Sequence, residues 1–97
     1  MKAKVRRAVV VTTTTGGVHF GHTTEDGRGD TIALAGARNA YYWKVAPGTG
    51  VAELANTGPV VGSKIGTAAA NVVLRNVSRV YMCSPAAVQA WESARWG

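Results

Sequence analysis

From Val5 to Thr15 the chain is β-branched almost throughout, a pattern that suits a pleated, half-buried strand and disfavours a helix. Gly16-Gly17 is a two-residue turn signal, and beyond it Val18, Phe20 and His22 recur with a period of two. Together these segments predict a β-hairpin. The polar stretch TTEDGRGD reads as the next turn. A third strand is predicted from Thr31 to Val45, with a conflict inside it. Ile32 and Leu34 share one face, whereas Tyr41, Trp43 and Val45 share a face of opposite parity. A strand changes its buried parity only through an extra residue or a bend, and Gly36 is the natural place for a bulge. Past it, Tyr41, Trp43 and Val45 are expected in the core, with Arg38, Tyr42 and Lys44 pointing the other way.

Residues 46–71 carry weaker signals. APGTG is a turn, VAELA reads as a short strand and NTGPVVGSKIG as a glycine-rich loop. VVLRNVSRVYMC predicts two short strands split at Arg75-Asn76, or one bent strand. Ser84-Pro85 opens a helix, with serine as N-cap and proline in the first helical position. Val88 and Trp91 lie three apart on one face beside Ala87, so the helix is expected to dock on the sheet. The class that emerges is mainly β. It is a small, strongly bent antiparallel sheet or SH3-like or Sm-like barrel with one short C-terminal α-helix, in a single domain over residues 1–97. An open half of a β-sandwich, completed by a second subunit, is the competing architecture.

Composition sharpens this picture. Of 97 residues 46% are apolar and only 16% charged, which excludes a disordered tail. Much of the apolar content is Ala and Val, and twelve residues are glycine, so little large side-chain area is available for a core. Sharing a core or sheet edge with other copies makes up the difference, and a homo-oligomer is expected. The net charge of +6 favours anionic partners: nucleic acid, a nucleotide or an acidic protein surface. A basic, merely solvated surface is the plainer alternative. Cys83 is the only cysteine, which fits a reducing cytoplasm and excludes an intramolecular disulfide or a thiolate metal cage. The apolar run from Ala8 to Val11 is shorter than the roughly 7–15 residues of a signal sequence. No stretch approaches the roughly 18 apolar residues needed to span a bilayer. A cytoplasmic protein with no membrane partner is expected.

The candidate chemistry centres on ARNAYYWKV, residues 37–45. An outward stripe of Arg38, Tyr42 and Lys44 has what a flat phosphorylated ligand requires. It offers a stacking surface worth about 1–3 kcal/mol per base and cations for phosphate. The structural alternative places Tyr42 in a subunit interface and pairs Arg38 with Asp30 or Glu53. GPVVGSKIG, residues 58–66, resembles a phosphate loop only superficially. A P-loop needs Gly before its Lys and Ser or Thr after it, and here those neighbours are Ser63 and Ile65. Backbone N–H groups of that turn, with Ser63 and Lys64, remain able to cradle an anion. The five candidate ligand-binding residues are therefore Arg38, Tyr42, Lys44, Ser63 and Lys64.

Other constellations fall away. His19 and His22 project to opposite faces of a strand and do not share a metal ion. Three of the five acidic residues lie in the turn at 25–30, leaving Glu53 and Glu92 too far apart to read as a catalytic pair. Cys83 closes an apolar strand, where cysteine behaves as a small hydrophobe. No enzymatic activity, metal or cofactor is expected. Arg28-Gly29-Asp30 spells an adhesion tripeptide but is explained as turn chemistry. Arg75 and Arg79, with Lys2, Lys4, Arg6 and Arg7, form a possible basic patch or guard strand edges.

In VVVTT, GVHFG, ARNAYYW, GVAELANTGP, SKIG and CSPAAVQAWE, the chain resembles a family of small phage- and prophage-encoded proteins of unknown function. The resemblance implies a protein acting inside an infected bacterium, and it supplies no catalytic residues. Three roles follow as expectations. The first is sequestration of a nucleotide-type immune signal by an oligomer, as an anti-defence protein. The second is DNA or RNA binding by a small barrel. The third is a virion or assembly component, or an inhibitor of a host protein.

Overall fold

The computed structural model describes residues 6–95. Its elements run β1 (Arg7–Thr13), β2 (Val18–Thr23), β3 (Ile32–Tyr42), α1 (Glu53–Asn56), β4 (Lys64–Ile65), β5 (Ala69–Leu74), β6 (Val77–Met82) and α2 (Pro85–Ser93). All six strands are antiparallel and belong to one sheet, in the order β4-β3-β2-β1-β6. β5 pairs with the earlier half of β3, on the edge that β4 joins farther along. The mainly β class and the short helix near the C-terminus thus match the sequence reading.

One short link forces the sheet to curl. In a flat sheet β5 and β6 would lie four strand spacings apart, about 19 Å. Only Arg75 and Asn76 separate Leu74 from Val77, a connection that reaches about 11 Å. The two edges therefore converge at this end. Asn76 makes the corner at φ 58°, where its carbonyl accepts from Thr14 N–H at 2.9 Å. Val77 N–H reaches Asp30 O at 2.9 Å, tying the corner to the β2–β3 turn.

Curling gives β1 two buried faces. Val9 and Val11 meet Ile32, Leu34, Ala37 and Leu74 inside the curl. Val10 faces the other way, into a cluster with Val18, Phe20, Leu54, Ile65, Ala87 and Trp91. The half-buried strand read from the sequence is thus buried on both sides, because α1 and α2 cover the outer face. The hairpin turn also differs: it spans Thr14–Gly17, closed by Thr13 N–H to Gly17 O at 3.0 Å.

The bulge in β3 stands where the parity conflict placed it. Phe20 pairs with Arg38 and His22 with Ala35, so Gly21 faces both Gly36 and Ala37. Gly36 has φ 58°, and Ile32, Leu34 and Ala37 consequently share the inner face. A second irregularity was not foreseen. Ala40 pairs with Ile65 and Tyr42 with Lys64, leaving Tyr41 as the extra residue. Tyr41 is therefore 64% exposed rather than in the core, and Ala40 takes the buried place. Trp43 and Val45 do pack against the outer cluster, but from the chain beyond the strand.

VAELA is helical, not extended: Glu53–Asn56 form one turn of α1. Ala, Glu and Leu are strong helix formers, and the Glu53 carboxylate accepts from Thr57 Oγ1 at 2.9 Å and Asn56 Nδ2 at 3.3 Å. Leu54 and Ala55 are thereby turned into the core. α2 begins as its sequence dictates. Ser84 Oγ accepts from Ala87 N–H at 3.1 Å, and Pro85 follows. The same serine is bound to α1, donating its N–H to Ala55 O at 2.9 Å and its hydroxyl to Asn56 O. Among the described residues no helix is long and apolar enough to cross a membrane.

Gly58 lets the chain pass against α2. It has φ 84°, and a methyl group there would overlap the Ala90 methyl and stand 3.2 Å from Ala87 O. Gly48 has a similar φ of 83° with nothing within 4 Å of its would-be Cβ. Gly48→Ala is expected to lose about 1–3 kcal/mol through backbone strain alone, and Gly58→Ala roughly 1–3 kcal/mol more through overpacking. Urea denaturation of both variants measures the difference. Equal losses would show that the Gly58 contact with α2 carries no packing constraint.

Candidate anion-binding cleft at the end of the helix

The site is organised by Trp91. Its indole is fully buried, stacks on Phe20 with ring centroids 5.2 Å apart and an interplanar angle of 8°, and donates Nε1–H to Leu54 O at 2.9 Å. Burial of so large a ring contributes on the order of 4–6 kcal/mol by area. Sheet, α1 and α2 are locked together by this one side chain.

Arg38 finishes the arrangement. The sequence offered it as an outward cation or a partner of Asp30 or Glu53, and the structure corrects both readings. Its Nε donates to Gly66 O at 2.8 Å, and Nη1 donates to Trp91 O at 2.6 Å and Glu92 O at 3.4 Å. The register explains the change, because the bulge sets Arg38 opposite Phe20, on the face that α2 covers. The last turn of α2 contains no basic residue, so Arg38 supplies the cation that its exposed carbonyls and dipole favour. Partial burial lowers the pKa of the guanidinium from its ordinary value, and arginine stays protonated at neutral pH all the same.

Around Arg38 the surface opens into a cleft. One lobe, about 610 Å³, lies between the β2–β3 bulge and the end of α2, with Arg6, His22, Arg38, Glu92 and Arg95 on its walls. A second lobe, about 740 Å³, shares Arg38, Thr67, Ala94 and Arg95 with the first and is bounded by Tyr41. The Tyr41 ring lies against Gly66, where a Cβ would approach it to 2.7 Å. Volumes of this order suit a small organic ligand. Arg6, Arg38 and Arg95 line this cleft with, among the described residues, one carboxylate, Glu92, a balance that favours an anion able to take forked N–H donors.

The five residues singled out in the sequence do not form one site. Tyr42 is four residues from Arg38 along β3, about 13 Å, and lines neither lobe. Tyr42, Lys44 and Lys64 gather separately: Tyr42 pairs with Lys64, and Lys44 Nζ lies 5.8 Å from the Tyr42 ring centroid. Ser63 lies apart from the cleft and bonds the Lys44 backbone. It is 5% exposed, its hydroxyl accepting from Lys44 N–H at 2.8 Å and facing Lys44 O at 3.4 Å. That pair of contacts holds the segment before β4 against the chain leaving β3.

Within the wider basic patch, the described Arg7 and Arg79 stand apart. Arg79 pairs opposite Thr12, five residues along β1 from Arg7, or about 17 Å. A hydrogen bond to Tyr81 raises the pKa of the exposed Arg79. Lys2 and Lys4 lie outside the described residues. Among the described residues of that group, Arg6 lines the cleft. Burial pushes the Cys83 thiol up to about 12, so it is no thiolate nucleophile near neutral pH.

Arg95, Thr67, His22 and Glu92 were missed as cleft residues. Arg95 carried one usable signal, its place two residues beyond the end of α2, the helix that the buried Trp91 docks. The others are joined to the cleft only by the register of β2 and by the path between β4 and β5.

The class defined here is a small, curled antiparallel β-protein with an arginine-walled cleft under its C-terminal helix. The chain belongs to the family described as a domain of unknown function, DUF6948, whose model matches residues 6–91. No curated protein and no solved structure matches it.

Burial also lowers the pKa of His19. Above about pH 6.5, the ordinary histidine value, the group is neutral in both folded and unfolded chains. As pH falls the unfolded chain takes up the proton first, so stability declines from about pH 6.5 down to the lowered folded pKa. His19→Gln is expected to flatten the decline between pH 7 and 5, measured by urea denaturation at each pH. An unchanged pH profile would contradict the assignment.

Proposed function

We propose that this protein is a non-catalytic binding protein for a phosphate-bearing anionic ligand, of the nucleotide-signal type, and that the cleft at the end of α2 is its binding site. The observation that carries the reading is the convergence of Arg6, Arg38 and Arg95 on one cleft beside Tyr41. Cations bind the phosphate, and an aromatic wall accommodates a planar group. Arg38 is held in place before any ligand arrives, which reduces the ordering required on binding.

The resemblance to phage- and prophage-encoded proteins supports a setting in the bacterial host cytoplasm, with sequestration of an immune signal as the anti-defence role. Oligomerisation belongs to the same proposal. β5 and β6 each have one strand neighbour, and β5, with the sequence AANVVL, carries no charge to discourage pairing with another copy.

A second reading is favoured by the separate cluster of Tyr42, Lys44 and Lys64. A half-exposed ring beneath an ammonium, with a second lysine paired to it across the strands, is a stacking platform for single-stranded nucleic acid. Such binding weakens steeply with salt.

Calorimetric titration with adenosine 5′-monophosphate separates the two. Arg6 and Arg95 are exposed, so their alanine variants are expected to keep the melting temperature. Arg95→Ala should weaken binding roughly tenfold and the double variant roughly a hundredfold, while Tyr42→Ala leaves it unchanged. Undiminished affinity in the double variant would remove the cleft as the site. Loss in Tyr42→Ala instead would transfer it to the lysine cluster.

A further inference from the structure

Among the described residues, Glu92 is the single carboxylate on the walls of the 610 Å³ lobe, with three arginines. Its position runs against local electrostatics, because a carboxylate in the last turn of a helix meets the negative end of the dipole. Residues that break a local preference without a structural gain are candidates for function. Its side chain is 57% exposed, and His22 Nε2 stands 3.8 Å from its Oε2. That separation exceeds a hydrogen bond, so both carboxylate oxygens keep room for donors from a ligand. The His22 ring is fixed edge-on to Phe20, centroids 5.4 Å apart, and Phe20 stacks on Trp91. The carboxylate thus shares the walls of one lobe with Arg6, Arg38 and Arg95, next to a ring that Phe20 holds.

We infer that Glu92 makes the cleft select a ribose-bearing ligand. The inference rests on the reading of the cleft given above. A bare phosphate gains from Arg6, Arg38 and Arg95 but is repelled by Glu92. A ribonucleotide meets both demands: its phosphate takes the guanidinium donors, and its vicinal 2′- and 3′-hydroxyls donate to the carboxylate. An acidic side chain holding the ribose 2′-hydroxyl is an established means of reading that sugar, and the 2′-hydroxyl is what distinguishes ribose from deoxyribose at a protein site. Glu92 is therefore a specificity-determining residue, and the ligand is a ribonucleotide.

Titration of the full chain with adenosine 5′-monophosphate, its 2′,3′-dideoxy analogue and inorganic phosphate tests this, in the wild type and in Glu92→Ala. The wild type is expected to prefer the ribonucleotide over the dideoxy analogue by tenfold or more, since a site built for hydroxyl donors rejects a ligand that lacks them. Glu92→Ala should bring that ratio close to one and at the same time tighten inorganic phosphate. A merely structural loss would weaken all three ligands together, and a thermal melt of the variant confirms that it is folded. Equal binding of the two nucleotides by the wild type, or a ratio unchanged in Glu92→Ala, overturns the role of Glu92 and leaves the cleft standing. Failure of all three ligands to bind the wild type overturns the cleft reading and this inference with it.

Discussion

The burial of Trp91 positions α2 and Arg38 at the cleft. Its ring is fully excluded from water, its indole N–H satisfies Leu54 O, and its carbonyl receives Arg38. One residue thus connects hydrophobic burial with the polar finish of the helix end. The packing draws α2 onto the outer face of β1 and β2, which leaves the carbonyls of the last helical turn facing β3. Those carbonyls need donors, and Arg38 meets them. A guanidinium spent on a helix end is also a guanidinium fixed at the mouth of a cleft. Stability and the proposed binding site therefore share the same atoms.

The curl of the sheet does the complementary work. The short link between β5 and β6 brings the edges together at one end, and the interior fills with Val9, Val11, Ile32, Leu34, Ala37 and Leu74. With so few large side chains, the chain builds two thin clusters on either side of β1 rather than one thick core. The Gly36 bulge belongs to this economy. It keeps Ile32, Leu34 and Ala37 on the inner face and sends Arg38 to the helix side.

The sequence was most legible where local chemistry decides. Ser84-Pro85 announces its helix, Gly36 announces its bulge, and Arg75-Asn76 marks the split between β5 and β6. Legibility failed where tertiary pairing overrides a local pattern. Tyr41 looked like core because the alternation of Tyr41, Trp43 and Val45 is regular, and only the register shift between Ala40 and Tyr42 opposite the short β4 sends it outward. VAELA was read as a short strand, yet burial of Leu54 and Ala55 beneath α2 goes with a helical turn. Of the candidate site, Arg38 was visible but its direction was not, because that depends on which face α2 covers. Arg95, Thr67 and His22 come together from three distant segments, a relation that no spacing along the chain records.

The central claim is that phosphate-bearing ligands enter the cleft at the end of α2. Backbone amide chemical-shift mapping on uniformly labelled protein, titrated with adenosine 5′-monophosphate, tests it most directly. Shifts concentrated at Gly36, Arg38, Thr67 and residues 92–95, saturating with one dissociation constant, are the predicted result. Shifts confined to Tyr42, Lys44 and Lys64, or no saturable shifts at all, would contradict it.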